Sequence, residues 1–359
     1  GFYMNNSNLK TADDFKCPGC GAPISYDPAT GGLHCEYCGY EENINKETSD
    51  IENDFVEGQN EDNNWTAETK IIHCDNCGAD NVLNAGEMSV TCPFCGSNHT
   101  IMTNQVTGIK PHRIIPFQIP SQNVKDAYRK WLRKKIFVPR KVKKQIPNIK
   151  LNGVYLPIWT FDSNASSSYD GKLGKYYTRT VGSGKNRRTV TEIRYFCISG
   201  NKSLFFDDFI VNAGTKISQQ EMNAIAPFDT NNSFVYEKEF MAGFSSEHYS
   251  VRLNDGWNIA KGNMDESMKR AILSDYHYDV VAYLNVTTNY TDIKYKYVLI
   301  PVWIGIYIYK NKTYRFIANG VTGRFTGKAP VSALKVLLFV AIILAIVILL
   351  FVLTQSADA

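Results

Sequence analysis

The pattern of hydrophobic and polar residues changes several times along the chain. Its longest segment, residues 150–326, has the pattern of β-strands. From residue 150 to 326, aromatic and β-branched residues recur in runs such as VYLPIWTF at 154–161 and IRYF at 193–196. The glycines at 182 and 184 fall between two such runs, 176–181 and 189–196, which predicts a hairpin tip. We therefore predict an α+β fold whose main part, at 106–328, is a β-rich antiparallel domain with a few helices.

Part of this domain is repeated along the chain. The segment LPIW at 156–159 has a counterpart, IPVW, at 300–303, and each copy follows a helical pattern, near 121–136 and at 258–274 respectively. A proline inside a strand favours an edge or a strand start. We therefore predict an internal duplication of two halves, each a helix followed by a β-meander.

The C-terminal segment is apolar on every side. Val336 to Leu353 is a run of 18 apolar residues, and its extension to 333–354 gives about 33 Å of helix, enough to cross a hydrocarbon core. Arg324, Lys328 and Lys335 precede the run, and no base follows it. The pattern predicts a transmembrane helix at 333–354 and, by the positive-inside rule, a single-pass cell-membrane protein with its bulk in the cytoplasm.

Eight of the nine cysteines form two copies of one pattern. Each copy has two C-x-x-C pairs separated by fourteen residues, and a glycine follows every pair. Such pairs present thiolates to one ion, and four thiolates close a tetrahedral shell that leaves no open position for a substrate. We predict two zinc ribbons, at 1–40 and 71–105, each with one structural zinc ion; iron and redox disulfides are the alternatives. The predicted ligands are Cys17, Cys20, Cys35, Cys38, Cys74, Cys77, Cys92 and Cys95.

Three histidines near these patterns, and the ninth cysteine, lie outside the two predicted shells. His34, His73 and His99 lie close to the cysteines, but each shell is already complete, so we interpret them as surface histidines. The ninth cysteine, Cys197, lies within the strand pattern YFCI, which predicts a buried, inert thiol.

The net charge is only +4, but acidic and basic residues are concentrated in different segments of the chain. Residues 1–70 carry 14 acids and 4 bases, whereas residues 110–150 carry 13 bases and one acid. The segment 41–70 has little apolar pattern, which predicts a flexible acidic linker.

The basic block contains an amphipathic helix near 121–136, with Ser121 as its predicted N-cap. Its apolar stripe comprises Val124, Tyr128, Trp131, Leu132 and Ile136. Three interpretations of the basic side chains stay open: a solvated face of a helix packed on its own domain, contact with anionic lipid headgroups, or contact with nucleic acid. The side chains concerned are Lys125, Arg129, Lys130, Arg133 and Lys134.

The sequence contains no recognisable catalytic set, so we predict that the protein is not an enzyme. The stretch from Gly182 to Lys185 lacks the spacing of a phosphate-binding loop. Asp207 and Asp208 are more typical of a turn or an ion bridge than of a general acid and base.

Several segments together resemble a known family. The double cysteine head, GVYLPIWTFD at 153–162, FDDFIVNAG at 206–214 and IPVWIGIYIYKNKTYRFIANGVTG at 300–323 resemble the bacterial TFIIB-type zinc ribbon-containing membrane proteins, which are often labelled as similar to primosomal helicases. The chain has no ATP-binding motif to support the helicase label. The resemblance implies an association with bacterial membrane-stress systems and no catalytic residues.

The sequence thus predicts a tail-anchored adaptor that recruits protein partners to the membrane. The alternative is a membrane-tethered regulator that binds nucleic acid through the second ribbon and the block 110–150. Nucleic acid is the less favoured partner, because the acidic first module repels phosphates.

Overall fold

A computed structural model describes residues 15–48, 52–58, 70–83, 92–97, 104–105, 108–145, 149 and 151–357. The N-terminal part contains β1 (Ser25–Asp27), β2 (Gly32–His34), β3 (Glu41–Glu42), β4 (Asn53–Asp54), α1 (Phe55–Gly58), β5 (Lys70–His73), β6 (Asp80–Leu83) and β7 (Asn104–Gln105). The remainder contains β8 (Arg113–Ile114), α2 (Ser121–Lys134), α3 (Arg140–Gln145), β9 (Leu151–Val181), β10 (Arg188–Asn212), α4 (Gln219–Ile225), β11 (Phe234–Val235), β12 (Ser245–Glu247), α5 (Leu253–Ser274), β13 (Val280–Tyr309), β14 (Lys312–Asn319), β15 (Phe325–Gly327) and α6 (Ala333–Ala357). These elements confirm the predicted β-rich α+β architecture.

Three long strands form the centre of the molecule. β9 has 31 residues and pairs antiparallel with β10 on one side and β13 on the other. The distal parts of these strands, residues 163–206 and 280–291, form a projection that we call the β-arm. Beyond Gly174, which pairs with the first residue of β13, the β-arm consists of β9 and β10 alone. Residues 182–187 connect the two strands, as the sequence predicts.

The inner half of this sheet is buried on both faces. Tyr155 and Trp159 of β9 pack on one face with residues of α2 and α5. Leu156 and Ile158 pack on the other face with α4 and with residues of the second cysteine cluster. Burial on both faces explains why the inner part of β9, residues 154–161, is an almost continuous apolar run rather than an alternating one.

The strand pairing brings together the two Pro-x-Trp segments from which an internal duplication was predicted. Leu156 lies directly opposite Ile300, its counterpart in the repeat, so a local two-fold axis passes between them. β8 pairs in parallel with β13, with Arg113 opposite Val298, and β12 pairs in parallel with β9, with Ser245 opposite Val154. Each half therefore contributes a short strand to the long strand of the other half.

Two tryptophan side chains also connect the two halves through hydrogen bonds. The Trp159 indole N–H donates to the Val251 carbonyl, just before α5, at 2.8 Å. The Trp303 indole N–H donates to the Ile119 carbonyl, just before α2, at 2.9 Å. The two hydrogen bonds are related by the same axis, and each joins one half to the other.

Helix α2 confirms the predicted amphipathic helix, with two differences at its ends. Val124, Tyr128 and Leu132 are buried, and the Tyr128 ring stacks on Phe316 at 3.7 Å. Ile136 lies beyond the end of the helix and is exposed. Pro120, rather than Ser121, occupies the N-cap position, without a side-chain cap.

The predicted flexible linker at 41–70 is partly docked on the central sheet. β4 pairs with β13 at Lys294 and Tyr295. Phe55 is buried, with its ring 5.6 Å from that of Trp257 and 6.3 Å from that of Phe161. An aromatic anchor therefore fixes the segment 52–58. The remaining described residues of the linker, 41–48, include β3, whereas residues 49–51 and 59–69 lie outside the described residues.

Helix α6 carries the apolar run that was predicted to span a membrane. Among the residues that the structure describes, no helix is both long and apolar enough for a membrane crossing. The predicted transmembrane helix at 333–354 is therefore wrong for the described part of the chain. The single-pass cell-membrane location that was derived from it stays a prediction.

Cys197 is also placed differently from the prediction. The sequence predicts a buried thiol, but Cys197 is exposed on β10. It pairs with Lys172, on the face of the β-arm opposite the one where α5 packs against Ala165. None of the helices that the structure describes lies on the Cys197 face. The apolar sequence around Cys197 therefore marks a strand, but only one face of that strand is covered.

Candidate metal centres and the cleft between them

The first four predicted ligands form a compact cluster in ribbon 1. Ligand atoms of Cys17, Cys20, Cys35 and Cys38 lie within 4.8 Å of one another. The sulfurs of Cys17 and Cys38 are 3.4 Å apart, and those of Cys20 and Cys35 are 3.6 Å apart. Tetrahedral geometry with metal–sulfur bonds of about 2.3 Å requires sulfur–sulfur distances of about 3.8 Å, so the cluster fits one ion.

The second cluster has the same geometry in ribbon 2. Cys74, Cys77, Cys92 and Cys95 also lie within 4.8 Å of one another. The sulfur distances are 3.6 Å for Cys74–Cys95 and 3.7 Å for Cys77–Cys92. The structure thus brings all eight predicted cysteines into two clusters that can each hold a metal ion.

The backbone of each C-x-x-C pair explains the glycine that follows it. Gly21 and Gly39 have φ of +72° and +74°, a backbone conformation that residues other than glycine rarely adopt. Their N–H groups donate to the carbonyls of Cys17 and Cys35, at 2.8 and 2.9 Å. Gly78 and Gly96 make the equivalent turns in ribbon 2, with φ of +68° and +77°.

In ribbon 1, the turn that begins at Cys35 stabilises the thiolate of Cys35. The Cys38 backbone N–H, which donates to the Cys35 sulfur, is the largest influence on that group and helps lower the pKa of Cys35 to about 6. A thiolate near neutral pH is the form that binds metal.

Both ribbons are docked on the central domain. In ribbon 1, the Tyr26 hydroxyl donates to the Phe117 carbonyl at 3.0 Å, and the Tyr26 N–H donates to the Ala242 carbonyl at 3.0 Å. In ribbon 2, β6 pairs with β12, and the Lys216 ammonium donates to the Cys77 carbonyl at 2.8 Å. The two metal centres are therefore attached to one framework.

A cleft of about 1150 Å³ lies between the ribbons and the central domain. Ribbon 1 lines it with Asp27, His34 and Glu36, and ribbon 2 lines it with Pro93 and Gly96. The floor comes from the central domain and includes Trp303, Tyr307, Ile308 and Thr313. The described residues that line this cleft include two acids and no lysine or arginine.

The described histidines near the clusters are not metal ligands. His73 pairs with Asp80 at 2.7 Å, and His34 lies 3.6 Å from Glu41. Neither belongs to a tetracysteine cluster. His99 lies outside the described residues.

The basic side chains of α2 lie on its outer surface. Lys130, Arg133 and Lys134 are exposed, and Lys125 and Arg129 are half-buried. The N-terminal end of α6 adjoins this region, because the Lys335 ammonium donates to the carbonyls of Ile136 and Val138 at 3.0 and 2.8 Å. Contact of the five basic residues with lipid or nucleic acid stays a prediction.

Sequence reasoning missed a buried charge cluster where the docked linker meets the sheet. Lys296 lies 3.0 Å from Glu52 and 2.7 Å from Asp208. Asp162 accepts the Asp208 backbone N–H at 2.6 Å. Asp208 is thus part of an ion bridge, which is one of the two interpretations of the Asp207–Asp208 pair. Asp162 and Lys296 are charged residues within largely apolar strand segments, a pattern that can indicate a buried ion pair.

Burial and the neighbouring Glu52 carboxyl raise the pKa of Asp162 from 3.8 to about 7. The carboxylate oxygens of Glu52, Asp162 and Asp208 are close enough to hold a metal. The ammonium of Lys296 contacts both Glu52 and Asp208 but balances only one of their two charges. With a proton on Asp162, the two carboxylates and one ammonium leave the cluster a net charge of −1.

The fold and the two clusters define a β-rich α+β protein with two tetracysteine clusters, each of which could hold a metal ion. The chain is 30% identical over 328 residues to "Uncharacterized protein YdjG" of Bacillus subtilis (strain 168), covering 90% of this chain and 91% of that protein. The chain belongs to the family of YdjG. No family model matches it, and no solved structure matches it. The resemblance to TFIIB-type zinc ribbon proteins stays a prediction.

Proposed function

We propose that this protein is an adaptor in which two structural zinc ions hold the ribbons over a cleft that binds a segment of a protein partner. Zinc suits four thiolates in a closed tetrahedral shell, and such a shell has no position for substrate. The observation that carries the proposal is the cleft itself, because both ribbons and the central domain contribute to its walls.

The chemistry of the cleft indicates the kind of segment that binds. Asp27 and Glu36 supply negative charge on one wall, and Trp303 and Tyr307 supply aromatic surface on the floor. An extended segment with lysine or arginine and an apolar residue complements both. The zinc ions act indirectly, by keeping ribbon 1 and ribbon 2 folded on either side.

Site-specific photo-crosslinking tests this proposal in the full chain. A photoreactive amino acid at Ile308, which lines the cleft and is 63% exposed, is compared with one at Ile259, which is 46% exposed on α5. We expect a discrete crosslinked partner from Ile308 and none from Ile259. Equal products from the two positions, or none from Ile308, would contradict the cleft as the docking site.

A charge reversal then tests the chemistry of the partner. Glu36→Lys places a base on the acidic wall, so we expect loss of the crosslink from Ile308. Glu42→Lys is the matched control, because Glu42 is an exposed acid of β3, directly after ribbon 1, and does not line the cleft. The proposal fails if both variants retain the crosslink, or if both lose it while each still contains two zinc ions.

The exposed basic residues of α2 favour a second candidate function, binding to an anionic lipid surface. Lys130, Arg133 and Lys134 are all exposed, and each base near an anionic surface contributes about 1 kcal/mol to binding.

We expect the full chain to co-sediment with phosphatidylserine vesicles more than with phosphatidylcholine vesicles. Lys130→Glu with Lys134→Glu should remove this difference, whereas Lys310→Glu with Lys312→Glu, on the β13–β14 turn, should not. If the α2 variant binds vesicles normally but loses oligonucleotide, the nucleic-acid interpretation of α2 replaces this one.

A further inference from the structure

The outer end of the β-arm combines positive charge with exposed aromatic rings. Residues 172–195 contain seven bases and one acid, Glu192. That acid is already paired, because Arg179 lies 2.6 Å from it and the Tyr177 hydroxyl donates to it at 2.6 Å. The bases are Lys172, Lys175, Arg179, Lys185, Arg187, Arg188 and Arg194.

The rings lie on the face of the β-arm opposite α5. Strand register places Tyr176 on β9, Tyr195 on β10 and Tyr283 on β13 on this face. Their exposures are 56%, 45% and 46%, unusual for large side chains of a long sheet. Lys172 lies between the outer strands, with its ammonium 5.1 Å from the Tyr195 ring centre.

A glycine lets one of the rings lie across the sheet. Gly174 is opposite Tyr195, and a Cβ at this position would lie 3.1 Å from the Tyr195 ring and 2.5 Å from Ile193. Any side chain at 174 would push the ring away from β9. The result is a flat surface of tyrosines that has the Lys172 ammonium on the same face. Lys185 and Arg187 lie in the connection at its outer end, whereas strand register places Lys175, Arg179, Arg188 and Arg194 on the opposite face.

We propose that this surface binds single-stranded nucleic acid. Positive charge complements the phosphates, and exposed rings provide stacking surfaces for unpaired bases, which a duplex keeps stacked on one another. An acidic protein would use the charge but would not require the planar rings.

The acidic N-terminal part does not oppose this binding. The described acidic segment that docks on the long strands, β4, pairs with β13 at Lys294, which lies opposite Asp162. Thr178 lies 16 positions along β9 from Asp162, or roughly 53 Å of strand. Screening reduces electrostatic effects over about 8 Å at physiological salt, so the two regions act independently.

Fluorescence anisotropy with the full chain and a labelled 20-nucleotide oligo(dT) tests the inference. We expect binding at low salt that is tighter than binding to a 20-base-pair duplex, and a logarithmic affinity that falls linearly with the logarithm of salt concentration. Lys185→Gln with Arg187→Gln should weaken binding and reduce the magnitude of that slope by about 1.4, or 0.7 for each phosphate contact. Lys310→Gln with Lys312→Gln, at the other hairpin turn, is the charge control and should change neither.

Aromatic variants separate stacking from charge. Tyr176→Ala and Tyr195→Ala should each weaken oligo(dT) binding at least about fivefold without changing the salt slope. Tyr37→Ala, an exposed tyrosine of ribbon 1, is the control and should have no effect. Bound oligo(dT) should also slow the alkylation of Cys197, which lies on the same face beside Lys172.

Three results would overturn the proposal. They are no binding of oligo(dT) at low salt, full affinity in both tyrosine variants, and equal displacement by a polyglutamate peptide. The last result would assign the surface to an acidic protein instead.

Discussion

At the scale of single residues, Asp162 gives the fold an unusual dependence on pH. Its carboxyl group is 4% exposed, and burial raises its pKa to about 7. An acid whose pKa is higher in the folded state than in the unfolded state favours folding while it is protonated. Its contribution is therefore fully present below about pH 4 and is lost as the pH rises through 7. Glu247, also raised to about 7 by burial, has the same sign.

We therefore predict that Asp162→Asn flattens the pH dependence of stability. Between about pH 5 and pH 8, the melting temperature of the variant should rise relative to that of the wild type, because the variant forms no carboxylate beside Glu52. Thermal melting followed by circular dichroism measures this. Asp170→Asn, at an exposed acid of the same strand, should follow the wild type. A parallel shift of Asp162→Asn at every pH would show that Asp162 does not titrate in this range.

At the scale of elements, we predict that the ribbons depend on metal. The docked part of the linker is held by the buried Phe55 ring, by the Glu52–Lys296 ion pair and by the β4–β13 pairing. The first sheet, β1-β2-β3, has strands of two or three residues, too short to be stable without the metal-bound turns. The linker segment 52–58 has a buried side chain at Phe55 next to an exposed one at Val56.

We predict that the full chain binds two zinc ions and that the two sites are separable. Cys20→Ser should reduce the zinc content from two ions to one for each chain, and Cys77→Ser should do the same, because a shell of three thiolates binds more weakly. Elemental analysis of the purified protein measures the content. Cys197→Ser should retain two ions. Loss of both ions from either single variant would show that the ribbons fold cooperatively.

We also predict that Phe55→Ala releases the docked part of the linker. Loss of a buried phenylalanine removes about 3–5 kcal/mol of packing, more than a seven-residue segment can replace. Hydrogen exchange of residues 52–58 should become fast, while that of the central strands stays slow. Val56→Ala, at the exposed neighbour, should leave both unchanged. Slow exchange in Phe55→Ala would mean that the β4–β13 pairing is sufficient by itself.

At the scale of the whole molecule, the duplicated halves are interlocked rather than stacked side by side. Trp159 donates to the segment before α5, and Trp303 donates to the segment before α2. β8 and β12 also cross between the halves. Neither half can complete its sheet without the other, so the domain should unfold as one unit.

We predict that Trp159→Phe and Trp303→Phe destabilise the protein similarly, by about 1–3 kcal/mol each, because each leaves one partly buried carbonyl without its donor. Urea denaturation should show one transition with an unchanged slope in both variants. Two separate transitions in either variant would show that the halves fold independently.

The sequence by itself determined the features that depend on neighbours along the chain. The cysteine spacing and its glycines fixed the ligands of both clusters, because a C-x-x-C turn is a local structure. The stripe of Val124, Tyr128 and Leu132 predicted α2 for the same reason. The repeated Pro-x-Trp segments predicted the duplication, although not its geometry.

Only the tertiary structure decided what depends on residues far apart in the chain. It placed Leu156 opposite Ile300, docked Phe55 on Trp257 and brought Lys296 to Glu52. It also left Cys197 on an uncovered face, formed the cleft between the ribbons, and gave no support, within the described residues, for the transmembrane helix. The physical reason is that strand register and burial are set by long-range contacts, whereas a local pattern records which residues are apolar but not which surface covers them.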